Sequence, residues 1–443
     1  MNNYCDVGEM VCLPETNDPR VLIIGGGVAG LALAKALKKT QVQVVLVDRH
    51  NFHQFQPLFY QVATSGLEAD SIVFPFRKQI SGHRNTIFRY ASVEQINADK
   101  SQLLTDKGII DYDYLVIATG TKTNFFGMSD IENWSLGMKS IQDSLNIRHL
   151  MILNLEQAAI TCDEQEKDIL TNFIIVGGGP AGVEMAGALA EFKKYVLPGD
   201  YPEYSSQIMD IYLLEAGDQL LATMSGKASE KALKYLTQLG VKVMLHEAVE
   251  HYDGTMVSTN SGNTLYARNL IWTAGVTGSF PEGIDQESIA GGNRLQVDHT
   301  MRVKGYSSIF AIGDIAAIIT EKTPKGHPQV AQVAIQQGKY LGKVIQNKIA
   351  GKEESPQPFK YRDKGSLATI GKRRAVADLG KFRFGGYLAW LLWSVVHLFS
   401  ISGFRNKLMV ALNWVWNYFT YDKGNRLIIR NYKKKVLENE DSL

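Results

Sequence analysis

Cysteine is scarce in this chain. Cys5, Cys12 and Cys162 are the only three in 443 residues, and no two stand at the spacing of a redox pair or a metal clamp. That argues against a disulfide scaffold, a structural zinc and an iron–sulfur cluster, so no metal site is expected. An excess of one charge is lacking as well. With 47 basic and 45 acidic residues the net charge is +2, which provides no footing for nucleic acid. Met1–Pro19 contains neither a basic n-region nor a long apolar run, so it does not read as a secretory signal. Residues 1–19 are expected to form a flexible lead-in. The composition is that of a folded globular protein, 45% hydrophobic and 21% charged, long enough for two or three domains.

Glycine, in contrast, is concentrated where it carries meaning. Gly25-Gly26-Gly27-Val28-Ala29-Gly30 follows the apolar run Val21–Ile24 and opens a helical pattern. A second run, Gly177-Gly178-Gly179-Pro180-Ala181-Gly182, lies 152 residues on, after Asn172–Val176 and before Val183–Phe192. In each, the first glycine permits a tight turn and the second lets the backbone approach a pyrophosphate. The third lets helix pack on strand, and the helix N-terminus faces the phosphate charge. The next strand end reports the ribose. Gln43–Val47 ends at Asp48, 18 residues past Gly30. Asp210–Leu214 ends at Glu215, 33 residues past Gly182, a longer interval that predicts a loop over Lys193–Gln207. Two such units predict two dinucleotides held at once. Glu215 and Asp218, with no arginine nearby, disfavour a 2′-phosphate and favour NADH over NADPH.

The order of elements repeats. Each unit runs from the fingerprint through an acidic strand end to a buried strand closed by a small-residue turn, Thr119-Gly120 in the first and Thr273-Ala274-Gly275 in the second. A further strand, Ser308–Gly313, closes at Asp314, and a helix is predicted after Pro328, over Gln329–Gly338, with Gln332 and Gln336 on one face. The fold class is therefore α/β, with two Rossmann-like dinucleotide-binding domains in a glutathione-reductase-like arrangement and an amphipathic C-terminal membrane-anchoring region. The expected boundaries are 20–125 and 295–380 for the first domain, 126–294 for the inserted second, and 381–443 for the anchoring helices and basic tail.

Between Arg383 and Arg405 lie 21 residues without formal charge, and four of the six tryptophans fall within 27 residues, from Trp390 to Trp416. The Ser400–Gly403 break leaves too few helical residues for a comfortable span. The pattern predicts two interfacial helices that dock on a membrane, aided by Arg405, Lys407 and the basic tail Arg430–Lys435. A single span and a buried dimer interface are the rival readings.

The stretch His53-Gln54-Phe55-Gln56-Pro57-Leu58-Phe59-Tyr60-Gln61-Val62-Ala63-Thr64, the two fingerprints, Ala118-Thr119-Gly120, Ile312-Gly313-Asp314 and Ala331–Gln336 together resemble the type II NADH:quinone oxidoreductases. The likeness runs from Arg20 to about Arg430. It implies a non-pumping flavoprotein of the respiratory chain that passes hydride from NADH to FAD and two electrons on to a membrane quinone. It also implies a peripheral homodimer, on the cytoplasmic face of a bacterial inner membrane. Non-covalent FAD would be met by Gly25, Gly27, Gly30, Asp48, Thr64, Thr119, Gly120 and Asp314. NADH would be met by Gly177, Gly179, Gly182 and Glu215. Glu184, Gln332 and Gln336 would serve catalysis, Glu184 by placing nicotinamide or managing protons and the glutamines at the quinone. Some members of the family carry a histidine where this chain has Ile335, so that proton carrier is absent. Two alternatives stand beside this reading. One is a sulfide:quinone-type reductase, which would need reactive cysteines; the other is an FAD- and NADH-binding redox sensor with slow turnover. Replacing Glu215 should test the nicotinamide assignment: Glu215→Ala is expected to narrow the preference for NADH over NADPH in steady-state kcat/KM, and an unchanged ratio removes the role.

Overall fold

The computed structural model describes residues 10–204, 208–321, 323–352 and 357–428. They divide into two compact units, each drawn from three stretches of chain. The first comprises residues 1–53, 74–122 and 276–363, and the second residues 54–73, 123–275 and 364–443. The boundaries expected at 125/126 and 294/295 thus fall at 122/123 and 275/276. Residues 364–380, expected with the first dinucleotide domain, group with the second unit.

In the first unit, five parallel strands run in the order Ile309–Ala311, Tyr114–Ile117, Arg20–Ile24, Gln43–Asp48, Thr86–Tyr90. Their central residues are continuous apolar runs (VLII, VVLV, LVI) because both faces are covered, as parallel sheets require. Helix Val28–Ala36 packs closely against helix Ala331–Ile349. A Cβ on Gly338 would stand 2.6 Å from the Ala29 carbonyl oxygen, and one on Gly342 would stand 2.5 Å from the Ala36 Cβ. Two departures from expectation arise here. The later helix begins at Ala331, not at Gln329, and Asp314 lies within a single 3-10 turn, Gly313–Ile315, not before a helix. Residues 10–14 are tied down as well: the Val11 N–H meets Ile109, the Arg89 guanidinium meets the Cys12 carbonyl, and Gln43 meets the Pro14 carbonyl. They are not the flexible lead-in expected over 1–19, of which residues 1–9 lie outside the described residues.

The second unit repeats the plan. Leu136–Gly137, Asn269–Trp272, Phe173–Val176, Ile211–Glu215 and Lys242–Leu245 form its parallel sheet in that order. Helix Pro180–Tyr195 follows the glycine loop. A short helix, Leu197–Asp200, follows it, so the loop expected over Lys193–Gln207 is helical in its first half and irregular over 201–204. An antiparallel sheet of Ser366–Gly371, Arg374–Leu379 and Phe382–Gly385 packs on that helix where Gly187 removes a side chain, since a Cβ there would strike the Ile370 backbone.

Two helices close the unit, Tyr387–Ser400 and Phe404–Thr420, parted at residues 401–403 as the sequence pattern anticipates. Among the described residues no helix is long and apolar enough to cross a membrane, so the single-span reading finds no support. Helix Phe404–Thr420 is inverted. Its polar side chains face inward: Asn406 reaches the Asp70 and Val73 carbonyls, Asn413 the Glu68 carboxylate and Asn417 the Gly66 carbonyl. Val410 is buried and Trp414 lines a cleft, but most of its apolar side chains face out, with Phe404 at 82% and Phe419 at 77% exposure. The tail Arg430–Lys435 lies outside the described residues. Because Gly187 admits no side chain, Gly187→Val should destabilise the fold by about 2–3 kcal/mol through overpacking, read as a lower urea midpoint with an unchanged slope.

Candidate functional site

The first unit's glycine loop is shaped by three constraints. Gly25 has φ +102°, and a Cβ there would stand 2.5 Å from the Ala118 carbonyl oxygen. A Cβ on Gly30 would strike the Gly25 carbonyl, so only hydrogen fits where helix meets loop. At Gly27 nothing lies within 4 Å of the Cβ position, leaving an open cradle at the helix N-terminus. Asp48 closes its strand and accepts two backbone bonds, from Gly26 at 2.7 Å and from His50 at 2.8 Å. His53 sets its Nδ1 3.2 Å from the Gly26 carbonyl, and burial lowers its pKa.

The residues beside this cradle fit a ligand. Thr119 Oγ1 is buried and makes no hydrogen bond, and Gly120 has φ +70° with open space about its Cβ position. Gly313 donates its N–H to Gln337 Oε1 at 2.7 Å, and the fully buried Gln337 keeps its Nε2 without a partner. Asp314 lies next to Gly313, half-buried. Gln337 escapes the sequence reading because a glutamine on a helix gives no sign of facing a strand end. The preceding residue, Gln336, is engaged at both ends, by the Arg362 carbonyl at 2.9 Å and N–H at 3.0 Å. It braces a loop. Gln332 is half-buried one turn earlier.

The second unit builds the same loop with a different finish. Gly177 has φ +108°, a Cβ on Gly182 would strike the Gly177 carbonyl, and Gly179 opens on free space. Glu215 takes the place of Asp48, accepting from Gly178 at 2.5 Å and Gly217 at 2.7 Å. Thr273 spends its hydroxyl on the Val176 carbonyl at 2.8 Å. Its counterpart Thr119 leaves its own hydroxyl open, so the two cradles differ in what they offer a ligand.

A cleft lies wholly within the second unit. Its wall includes Tyr60, Gln61 and Thr64 from the stretch after His53, Glu184 and Glu191 from helix Pro180–Tyr195, and Trp390, Trp393 and Trp414 from the two last helices. Thr64 is buried and donates its hydroxyl to the Tyr60 carbonyl at 2.9 Å. Burial raises the Glu184 carboxyl to a pKa of about 8, partly opposed by a hydrogen bond from the Thr369 N–H at 3.4 Å. Enclosure thus favours the protonated form of Glu184 near neutral pH.

One end of the cleft carries charge. Burial also raises Glu191, which accepts from the Lys372 N–H, while burial lowers the Lys423 ammonium to about 8. The Lys372 ammonium lies 3.6 Å from the Tyr421 ring centre, and Tyr421 stacks on Tyr195 at 3.9 Å. Of this set only Glu184 is foreseen from sequence. The spacing of Glu184 and Glu191, two helical turns apart, is the one signal that could have added a second member. Cys12 and Cys162 are exposed, and no cysteine lines the cleft among the described residues. No cluster of metal-ligating residues occurs among the described residues either. Because Gly182 admits only hydrogen against the Gly177 carbonyl, Gly182→Ala should displace the loop and raise KM for NADH about tenfold or more. Turnover assays at varied NADH measure it.

Comparison with known proteins agrees with this layout. Residues 19–338 match the family model for pyridine nucleotide-disulphide oxidoreductases. Residues 364–421 match the NDH2 C-terminal domain, which begins at the chain boundary of the second unit. The chain is 35% identical over 422 residues to the type II NADH:quinone oxidoreductase Ndh of Mycobacterium tuberculosis, covering 92% of this chain and 90% of that protein. It is 29% identical to an internal alternative NAD(P)H-ubiquinone oxidoreductase of Arabidopsis thaliana, over 91% of this chain and 85% of that one. In fold it resembles NDH2 from Plasmodium falciparum solved in complex with NADH, with a TM-score of 0.84, 21% identity, and coverage of 94% of this chain and 100% of that one. The fold likeness to a sulfide:quinone oxidoreductase from Aquifex aeolicus is weaker, with a TM-score of 0.67 at 20% identity over 95% of each chain. The chain therefore belongs to the type II NADH:quinone oxidoreductases, within the pyridine nucleotide-disulphide oxidoreductase family.

Proposed function

We infer that this chain is an FAD-dependent NADH:quinone oxidoreductase that does not pump protons, with the cleft of the second unit as its quinone site. The observation that carries the reading is a cleft walled by Trp390, Trp393 and Trp414 with Glu184 among its lining residues, an acid whose pKa burial raises. When bound, FAD accepts hydride from NADH and passes two electrons to the quinone. The protein's own residues have three tasks. The cradle of Gly25, Gly27 and Gly30 would hold the FAD pyrophosphate, with Asp48 at the ribose and the open Thr119 hydroxyl and Gly120 beside it. Asp314 and the unpartnered Gln337 amide offer further polar contacts to the same group. Gly177, Gly179, Gly182 and Glu215 would hold NADH. Glu184 would supply a proton to the quinone oxygen, since an acid with a pKa near the working pH gives up a proton readily without losing it to solvent beforehand. Thr64 and Gln332 carry their FAD and quinone assignments from the family resemblance, and Gln336 acts through its brace on Arg362.

The exposed faces of the two final helices support docking on a lipid surface. Leu388 at 68% and Phe399 at 71% exposure extend the apolar face of Phe404 and Phe419. A homodimer at the cytoplasmic face of a bacterial inner membrane completes the proposal. The sulfide:quinone reading loses support because its persulfide chemistry needs cysteines that the cleft wall does not contain.

Anaerobic NADH should bleach the flavin absorbance, and a short-chain quinone should restore it; bleaching without restoration would favour the sensor reading. Glu184→Gln should lower quinone turnover by about a hundredfold, the usual contribution of a placed acid. In the unaltered protein the proton-donating form is lost as pH rises through about 8, so turnover should fall along that limb, and the variant should lack it. Stability follows the same titration. Above the ordinary carboxyl range and up to about 8, the folded chain holds a proton that the unfolded chain releases, so this residue's contribution falls as pH rises. Phe404→Glu combined with Phe419→Glu should leave the melting temperature unchanged and abolish co-flotation with anionic vesicles; retained flotation places the docking surface elsewhere.

A further inference from the structure

Tyr60 stands in the cleft wall with Glu184, and the structure determines which way its hydroxyl proton can point. The residue is 6% exposed. The Trp414 indole Nε1–H lies 2.8 Å from Gln61 Oε1, and Gln61 Nε2 lies 2.8 Å from Tyr60 Oη. An indole nitrogen only donates. The Gln61 atom facing it must therefore be the carbonyl oxygen, which removes the usual ambiguity between the two ends of an amide. The amide nitrogen then faces Tyr60, and it too can only donate. Tyr60 Oη is thereby the acceptor in that bond, and its own proton has to be offered elsewhere. No hydrogen bond among the described residues takes that proton up.

We propose that Tyr60 donates a hydrogen bond to a carbonyl oxygen of the quinone, held in that polarity by the relay from Trp414 through Gln61. The inference rests on the cleft being the quinone site. A quinone carbonyl offers lone pairs and no proton, so the wall must supply the donor. As two electrons arrive, negative charge grows on that oxygen, and a preoriented donor in a water-poor cleft stabilises it more than mobile water does. No bond to Tyr60 forms or breaks. Quinone, two electrons and two protons become quinol, and the phenol keeps its own proton throughout. Burial, with Glu184 close by, pushes the Tyr60 pKa well above its ordinary value, so the hydroxyl stays a donor across the working pH range. Trp414 and Gln61 are positioning residues. Trp414 sits on the helix whose outer face is apolar, so the helix proposed to dock on lipid also orients the donor.

Tyr60→Phe deletes one hydroxyl and leaves the ring in place. It should lower kcat/KM for a short-chain quinone about tenfold, the effect of one lost hydrogen bond to a charging oxygen. Flavin bleaching by NADH and turnover with ferricyanide, which presents no carbonyl, should be unchanged. Trp414→Phe frees Gln61 to rotate and turn its oxygen toward Tyr60, so it should show part of the same loss. The double variant should be no worse than Tyr60→Phe alone, because both substitutions remove one interaction. Additive losses, or an equal fall with ferricyanide, would mean that the residues merely hold the fold, and the proposal fails. It also fails if Tyr60→Phe only shifts the alkaline limb set by Glu184, for then the hydroxyl serves that carboxyl. If Glu184→Gln impairs quinone reduction while Tyr60→Phe does not, this inference falls alone. If neither does, the reading of the cleft falls with it.

Discussion

The second unit depends on where helix Pro180–Tyr195 can lie, and two contacts that admit only hydrogen decide it. At one end Gly182 rests on the Gly177 carbonyl, which brings the helix N-terminus to the glycine loop. In the middle Gly187 rests on the Ile370 backbone, which brings the C-terminal sheet onto the same helix. Between them stands Glu184. One helix thus presents its N-terminal N–H groups to a dinucleotide cradle and its acid to the cleft. A shift of either contact by the width of a methyl group would move both.

The same economy appears in the anchoring helices. In a water-soluble helix the apolar stripe faces inward and the polar stripe faces solvent. Helix Phe404–Thr420 reverses this, because its inward neighbours are bare backbone carbonyls and a carboxylate from the Gly66–Val73 loop. Asparagine side chains satisfy them. Val410 and Trp414 still turn inward, and the remaining large apolar side chains face out. A composition that reads as a membrane anchor follows from how the loop beneath is satisfied.

Charge in the cleft is set by enclosure. Glu184 and Glu191 are acids two turns apart on one face, and burial raises both. Their surroundings differ: Glu191 has Lys372 and Lys423 close by, while Glu184 has a backbone N–H. The first is a member of an ionic cluster that ties the C-terminal segment to the helix. In the second, enclosure favours the protonated form, free to take part in chemistry.

The order of strands, the two glycine loops and their acidic strand ends were legible in the chain itself, because close backbone approach demands glycine and a ribose demands a carboxylate, and both leave local marks. The break between the final helices was legible for the same reason. The short helix Leu197–Asp200, the docked residues 10–14 and the bracing part of Gln336 were not, since each depends on a partner far away in sequence. Tyr60, Gln61, Lys372 and Trp414 come from three separate stretches of chain, and only the folded structure brings them to one wall. Local sequence was enough to mark two glycine loops, each followed by a strand that ends in an acid. Tertiary structure decided which carboxyl loses its water, which threonine hydroxyl is left open and which way a tyrosine proton points, because desolvation and hydrogen-bond polarity are properties of neighbours in space.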